Sequence, residues 1–109
     1  MFFRSVLAAQ TGDFARAAQL IGKALAANPK SIAAHYNLGY VQEELRQYAA
    51  AVASYDRAIA LKPDHAVAYN NRGVALKALD RLESAVASFD AAIRIDSGYA
   101  EAHTNRGMT

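Results

Sequence analysis

Three asparagines stand 34 residues apart in this chain and offer its clearest pattern of chemically useful side chains. Asn37, Asn71 and Asn105 each lie two residues before a glycine, and Asn70 directly precedes the second of them. A carboxamide both donates and accepts hydrogen bonds, so a row of amides can bond to the backbone of an extended peptide whatever the peptide's sequence. The spacing therefore indicates recognition of a polypeptide, provided the fold brings the three positions into line.

Side chains that could support covalent or metal chemistry do not have the spacing for it. The histidines are His35, His65 and His103, and cysteine is absent. Adjacent carboxylates such as Glu43 and Glu44 diverge around a helix, and the sequence holds no phosphate-binding loop, nucleophile elbow or zinc-protease motif. We therefore expect no enzyme activity, no catalytic or metal-binding residue, and no cofactor. His35 and His103 are expected to pack as rings, and His65 to lie in solvent.

Composition narrows the possible partners and the compartment. The net charge is +2, but twelve Lys and Arg are interleaved with ten Asp and Glu, so no basic face suits nucleic acid or an acidic membrane. No apolar run approaches the roughly 20 residues of a membrane span. The apolar start is broken by Arg4 and Ser5 and is too short for a signal peptide. We expect a protein or peptide partner, no nucleic acid, no membrane, and a cytoplasmic location.

The chain repeats with a 34-residue period, which identifies the elements that carry the asparagines. Pro29 aligns with Pro63, and the run Ala51-Val52-Ala53-Ser54-Tyr55-Asp56 returns as Ala85-Val86-Ala87-Ser88-Phe89-Asp90. Each unit has two apolar stripes at helical spacing, separated by a short turn, which predicts an antiparallel helix pair. The predicted helices are 1–10, 13–27, 32–45, 48–61, 66–79, 82–95 and 100–109. Ser31 and Asp64 are the expected N-caps.

These units resemble the tetratricopeptide repeat. Leu38-Gly39, Ala51 with Tyr55, and Pro63 match its pattern in one copy; Tyr69, Gly73, and Ala85 with Phe89 match in the next. The resemblance implies an all-α fold, a right-handed solenoid of antiparallel helix pairs with about three repeats and a partial fourth. We expect one domain over 1–109, made of a partial repeat 1–31, repeats 32–65 and 66–99, and a partial repeat 100–109.

Individual repeat positions predict how the helices pack. The glycine should let the two helices of a unit approach closely, so Gly73→Leu is expected to lower the free energy of unfolding by about 1–3 kcal/mol. Arg72 and Arg106 replace the usual leucine, and the stem of Arg72 is expected to pack while its head reaches solvent. Ser5 replaces the glycine in the first unit.

The resemblance also implies where a ligand would bind, because the first helix of each tetratricopeptide unit lines a concave groove. Asn37, Asn71 and Asn105 resemble the asparagine ladder in the repeats of O-GlcNAc transferases, which holds substrate polypeptide. Tyr36, Tyr40, Asn70, Val74 and Lys77 are expected to line the same groove, with Phe2, Phe3 and Val6 extending it. The alternative left open is that these asparagine amides contact no ligand and form hydrogen bonds only locally or to water. Tyr36, Asn70 and Thr104 stand where the family's carboxylate-binding members want a lysine, so capture of a peptide C-terminus is not expected.

The predicted function is a protein–protein interaction module that binds an extended peptide or a partner helix in the concave groove. The alternative is a scaffold or self-association segment that stacks end to end. The chain begins inside one unit and stops inside another, so we expect either a fragment of a longer array or a homo-oligomer formed through uncapped solenoid ends.

Overall fold

The backbone of residues 2–109 and the side chains of residues 12–109 are described by the structure, a computed structural model. Six α-helices follow one another in this part of the chain, which contains no strand. They are α1 (Phe2–Ala27), α2 (Ile32–Glu44), α3 (Tyr48–Leu61), α4 (Ala66–Ala78), α5 (Leu82–Ile95) and α6 (Ala100–Met108). The predicted all-α fold is confirmed. Residue 1, included in the first predicted helix, lies outside the described residues.

Side chains cap the starts of α2 and α4 by accepting hydrogen bonds from free backbone N–H groups. Ser31 caps α2 as predicted, since its Oγ accepts a hydrogen bond from the N–H of Ala34 at 3.2 Å. The prediction for α4 was wrong by one residue. His65, not Asp64, occupies the capping position, and its Nδ1 accepts from the N–H of Ala68 at 3.2 Å. Asp64 lies in the preceding turn, too early to reach the first helical N–H groups.

Two tight turns reverse the chain between the helices of a pair. Arg46, after α2, and Asp80, after α4, have φ values of 60° and 62°. In both turns an N–H one residue later bonds back to the helix, from Gln47 to the carbonyl of Gln42 at 2.8 Å in the first. This left-handed residue followed by a long return bond is the Schellman arrangement, which ends a helix within a few residues. The tight ending holds α2 antiparallel to α3, and α4 antiparallel to α5.

The core lies between the helices, with one cluster of residues from α3 and α4 and another from α4 and α5. In α3 and α5 the fully buried apolar residues recur at the same register: Ala51, Tyr55 and Ala58, then Ala85, Phe89 and Ala92. A Cβ placed on Gly39 would lie 2.6 Å from Cε1 of Tyr55, and one on Gly73 would lie 2.5 Å from Cε1 of Phe89. The ring of one helix therefore occupies the space that any side chain at the glycine would need. Each helix packs mainly on its neighbours in the chain, as in a solenoid.

The first helix departs from the prediction. We expected a helix ending at residue 10 and another beginning at residue 13, but α1 continues without a break from Phe2 to Ala27. Among the described helices α1 packs only against α2. A glycine inside a helix, here Gly12, costs only about 1 kcal/mol.

Candidate peptide-binding groove

The first helices of the pairs lie side by side, because α4 contacts both α2 and α6. This arrangement brings the three ladder asparagines to equivalent positions on adjacent helices. Asn37 is exposed, and Asn71 and Asn105 are half-buried. We call the surface formed by these three helices and their ladder the first-helix groove.

Two ladder amides are held by hydrogen bonds between helices. Nδ2 of Asn71 donates to the hydroxyl of Tyr36 at 2.9 Å, and Nδ2 of Asn105 donates to Oδ1 of Asn70 at 3.0 Å. Both bonds join residues 35 positions apart, so each is the same contact repeated one unit later. From the sequence, the ladder amides could have bonded only locally or to water. In the structure, the amides of Asn71 and Asn105 instead bond to side chains of the neighbouring helix.

The structure places Asn70 beneath the groove surface, not on it as the sequence predicted. Its side chain is 0% exposed, accepts from Asn105, and donates through Nδ2 to Oδ1 of Asn71 at 3.3 Å. A buried side chain has no surface with which to contact a peptide. The prediction failed because the repeat register assigns a residue to a helix face but does not reveal how closely the next helix covers that face.

The ladder amides keep part of their bonding capacity. Asn71 uses one of its two N–H groups on Tyr36 and one lone pair on the bond from Asn70. Asn105 uses one N–H on Asn70. Since an amide has two N–H donors and two acceptor lone pairs, each retains a donor and an acceptor on the same planar group. The bonds already made fix the orientation of these remaining groups.

Aromatic rings and aliphatic side chains flank the ladder. The ring of Tyr36 stacks on His65 with a centroid distance of 5.2 Å and lies tilted at 5.9 Å from the ring of Tyr55. Tyr40 is 47% exposed, and Val74 is half-buried. Of these predicted lining residues Tyr40 is exposed, whereas Tyr36 and Val74 pack partly against the core.

Lys77 is half-buried on α4 and lies toward the far end of the groove. Its Nζ is 3.5 Å from the backbone carbonyl of Met108, a residue that is 70% exposed. The predicted extension of the groove by Phe2, Phe3 and Val6 falls on side chains outside the described residues.

The histidines contribute to packing and capping. His35 is buried, and its Nε2 donates to the carbonyl of Pro29 at 2.8 Å, whereas His103 is exposed and makes the equivalent bond to Ser97 at 2.9 Å. His65 was expected in solvent, but it is half-buried because its ring stacks on Tyr36 and its Nδ1 caps α4. Burial, assisted by Lys62, lowers the pKa of His65 below its usual value. Within residues 12–109 no group of His, Asp or Glu is arranged to hold a metal ion.

Burial and nearby carboxylates both shift the pKa values of the groups around Tyr36. Burial raises the pKa of Glu43, and the neighbouring charges of Glu44 and Glu101 raise it further, against the opposing hydrogen bond from Tyr55 at 2.6 Å. The pKa of Tyr36 is also raised, first by burial and then by Glu43, Tyr40 and Glu101, although its bond from Asn71 acts the other way. Helices α2 and α6 thus both place carboxylates close enough to Tyr36 to raise its pKa.

Sequence reasoning missed a second set of contacts, on another side of α4. Nε of Arg72 lies 2.5 Å from Oδ1 of Asp56, and its Nη1 donates to the hydroxyl of Ser88 at 2.7 Å. Arg106 pairs with Asp90 in the same way one unit later. The head of Arg72 therefore bridges α3 and α5 and does not simply extend into solvent. The recurring 16-residue spacing between aspartate and arginine was the signal that could have revealed it.

Comparison with solved structures gives close fold matches. The first TPR of Spaghetti (RPAP3), bound to the HSP90 peptide SRMEEVD, matches with a TM-score of 0.86 and 25% identity, over 89% of this chain and 77% of that chain. The second TPR domain of human RPAP3, in complex with the HSP70 peptide SGPTIEEVD, matches with a TM-score of 0.85 and 23% identity, over 89% and 81%. MamA matches with a TM-score of 0.82 and 26% identity, over 84% of this chain and 54% of that chain. No curated protein matches the chain.

The family assignment rests on sequence as well as shape. A model of the tetratricopeptide repeat matches residues 4–66 and again 43–100, so the two matches overlap and together span most of the chain. No helix in the described part of the chain is long and apolar enough to cross a membrane. The repeating glycine–ring crossings, the left-handed turns and the family-model matches lead to one conclusion: the chain belongs to the tetratricopeptide repeat family.

Proposed function

We propose that this chain is a protein-interaction module that binds an extended peptide in the first-helix groove. Asn37, Asn71 and Asn105 contact the peptide backbone, and Tyr36, Tyr40, Val74 and Lys77 contact its side chains. The observation that carries this proposal is the state of Asn71 and Asn105, whose amides are oriented by bonds between helices and make fewer hydrogen bonds than a carboxamide can. The specific likeness of this ladder to that of the O-GlcNAc transferases is a hypothesis supported by register alone.

The spacing of the ladder suits an extended chain. Adjacent packed helices lie roughly 8–10 Å apart, close to the length of three extended residues at about 3.3 Å each. One amide can therefore serve every third peptide residue. Because the orienting bonds exist before the peptide arrives, little side-chain entropy is lost on binding.

Charge favours a basic peptide. The relative Spaghetti (RPAP3) binds a peptide that ends in the acidic sequence EEVD. In this chain Glu43, Glu44 and Glu101 make the corresponding surface negative, and Tyr36 and Thr104 stand where a carboxylate-binding groove needs lysine. An acidic tail would be repelled, whereas a lysine or arginine side chain would be attracted to the carboxylates and to the Tyr36 ring.

Fluorescence anisotropy with two labelled peptides tests both parts of the proposal. The peptides share length and apolar residues, and one carries lysine and arginine where the other carries glutamate and aspartate. We expect the basic peptide to bind at least about tenfold more tightly, with affinity falling as salt is added. Preference for the acidic peptide would contradict the charge assignment but leave the groove intact.

Truncation of the ladder tests the amide contacts separately. Asn37→Ala/Asn71→Ala is expected to weaken binding by about tenfold or more, since each lost hydrogen bond contributes about 0.5–1.5 kcal/mol. Asn28→Ala makes the same amide truncation in an exposed loop and should bind as the unaltered chain does. A thermal melt of each variant confirms that the fold survives loss of the bond from Asn71 to Tyr36. Equal binding by the ladder variant and the loop variant would refute the ladder.

A further inference from the structure

An open pocket of about 360 Å³ lies at the end of α3. Three of its lining residues come from α3, one from the start of α2 and one from the loop before it: Arg57, Ala60, Leu61, His35 and Pro29. Its surface is mainly apolar. None of these residues was predicted to line the first-helix groove, so the pocket has no role in the function proposed above. We call it the α3 pocket.

The same pocket recurs one unit later, at the end of α5. This α5 pocket, of about 200 Å³, has its lining residues 34 positions after those of the α3 pocket: Pro63, Tyr69, Ala91, Arg94 and Ile95. Because all five positions coincide, the pocket is a product of the repeat and not a local irregularity. Any selectivity must therefore come from the side chains in which the two copies differ.

Cations surround the α3 pocket. Arg57 lines it, and Lys30 and Lys62 directly follow two of its lining residues in the chain; all three are exposed. Among the described side chains the ion pairs are those of Arg72 and Arg106, so none of the three cations is paired with a carboxylate. An apolar pocket bordered by unpaired cations is complementary to an apolar group with negative charges beside it.

The α5 pocket has the opposite charge at two of these positions. Asp64 and Asp96 stand in the register of Lys30 and Lys62, and both are exposed. Arg94 is therefore accompanied by two carboxylates where Arg57 is accompanied by two lysines. The two pockets share their architecture but not their charge, which makes the α5 pocket a comparison within the same chain.

The ring of His35 gives the wall of the α3 pocket an unsatisfied hydrogen-bond acceptor. Its Nε2 donates to the carbonyl of Pro29 at 2.8 Å, so in the neutral ring Nδ1 carries a lone pair. Nδ1 is buried and has no hydrogen-bond partner among the described residues, which is unfavourable. A bound peptide brings backbone N–H groups to this wall, whereas a simple carboxylate brings no donor. The pocket therefore favours a peptide over a small acid.

We propose that the α3 pocket is a second binding site, which takes an acidic peptide segment with one apolar side chain. The apolar side chain fills the space between Pro29, Ala60 and Leu61. Carboxylates on either side of it approach Arg57 and the two lysines. The site shares no residue with the ladder, so one partner could place a basic segment in the groove and an acidic segment here.

Nuclear magnetic resonance of the isotope-labelled chain locates the binding of a defined peptide. The peptide has blocked ends and one leucine between glutamates, and its control has lysines in place of the glutamates. We expect the acidic peptide to shift the backbone amide signals of Lys30, Leu61 and Lys62, and to leave those of Asn71 and Ile95 in place. The control should bind this pocket at least about fivefold more weakly, and the affinity of the acidic peptide should fall as salt is added.

Charge reversal in the two pockets supplies a matched pair of variants. Arg57→Glu and Arg94→Glu make the same change at exposed positions near the ends of α3 and α5, so the fold should tolerate both. We expect Arg57→Glu to weaken binding of the acidic peptide at least about fivefold, because a like charge then borders the pocket. Arg94→Glu should change this affinity by less than about twofold.

Each other outcome overturns the proposal. Absence of shifts at Leu61, or equal shifts at Leu61 and Ile95, would remove the selective site. Equal binding of both peptides, or an unaffected Arg57→Glu, would remove the role of charge. Shifts that grow with protein concentration before peptide is added would assign the pocket to contacts between copies of the chain. Asn37→Ala/Asn71→Ala should leave binding of the acidic peptide unchanged, so this site and the groove are tested separately.

Discussion

The hairpins α2–α3 and α4–α5 share a backbone and a core but differ in their polar contacts. Tyr55 and Phe89 are both fully buried beneath a glycine. The hydroxyl of Tyr55 donates to Glu43 at 2.6 Å, whereas Phe89 has no hydroxyl, and the residue in the register of Glu43 is Lys77. The first hairpin thus has a tyrosine bonded to a carboxylate, whereas the second has a phenylalanine and, in the register of that carboxylate, a lysine.

The buried serines of the two hairpins differ in the same coordinated way. Ser54 donates to Oε1 of Gln42 at 2.6 Å. Its counterpart Ser88 accepts from Arg72 at 2.7 Å, because the residue in the register of Gln42 is the apolar Leu76. Each hairpin satisfies its serine with a different neighbour.

The comparison separates two kinds of position in the repeat. Glycine, ring and alanines fix the distance between helices, so they vary little between the copies. The polar positions around them vary in matched sets, and each set leaves the core intact while changing the charge on the groove side. The charge of this surface can therefore differ between repeats that share the same fold.

Overpacking the glycine should produce the largest effect and should be equal in the two hairpins. Gly39→Leu and Gly73→Leu are each expected to lower the free energy of unfolding by about 1–3 kcal/mol, because a Cβ at either position meets a buried ring. Urea denaturation measures both. Gly107→Ala has the same register but nothing within 4 Å, and it should be neutral or slightly stabilising. A tolerated leucine in only one hairpin would show that the crossings are not equivalent.

Exchanging the rings should produce a smaller effect that depends on the hairpin. Tyr55→Phe is expected to cost about 1–2 kcal/mol, because the partly buried carboxylate of Glu43 loses its donor. Phe89→Tyr should cost about 1 kcal/mol, since lysine stands in the register of Glu43 and the proton of the new buried hydroxyl has no carboxylate to accept it. The double variant Phe89→Tyr/Lys77→Glu should recover most of that loss in thermal or urea melts. No recovery would mean that the tyrosine–glutamate match is incidental.

The smallest expected effect is a pH dependence restricted to the first hairpin. The pKa of Glu43 is raised above its ordinary value of 4.5, chiefly by burial, so the folded chain binds this proton more tightly than the unfolded chain does. Its contribution to stability is complete below pH 4.5 and is lost as pH rises through the folded pKa. The unfolding free energy of the unaltered chain, relative to Glu43→Gln, should therefore decrease over that window.

Lys77→Gln provides the control for this titration because it changes the same register in the second hairpin and removes no carboxyl group. Its difference from the unaltered chain should stay constant over the same pH window. An increase in relative stability with pH for the Glu43 comparison would show that the hydrogen bond from Tyr55 outweighs burial.

Features that recur in every repeat could be predicted from the sequence, because aligning the copies shows which residues occupy equivalent positions. The aligned glycines and alanines predicted the helix pairs and their crossings, and these agree with the structure. The continuous helix α1 could not be predicted this way, because its residues follow the pattern of two antiparallel helices. Whether one helix or two form depends on the packing of the segment before Gly12, which the repeat pattern does not show.

Side-chain partners across the helices were much harder to predict than register. Asn70 and Asn71 are adjacent and chemically identical, yet the structure buries one and leaves the other half-exposed, which depends on the closeness of α6. The ion pair of Arg72 with Asp56 could have been predicted from their 16-residue spacing, which recurs in the next unit. His65 was placed in solvent because nothing in its local sequence showed the Tyr36 ring that covers it.

The bonds between first helices also bear on how such arrays change in length. Each first helix offers an acceptor to the next, the hydroxyl of Tyr36 and the amide oxygen of Asn70, and the next helix supplies its ladder amide as donor. Thr104 carries a hydroxyl at the same position. A unit duplicated or excised in frame by recombination would therefore meet a compatible junction on both sides. Whole repeats could be gained or lost in a single genetic event without compensating substitutions.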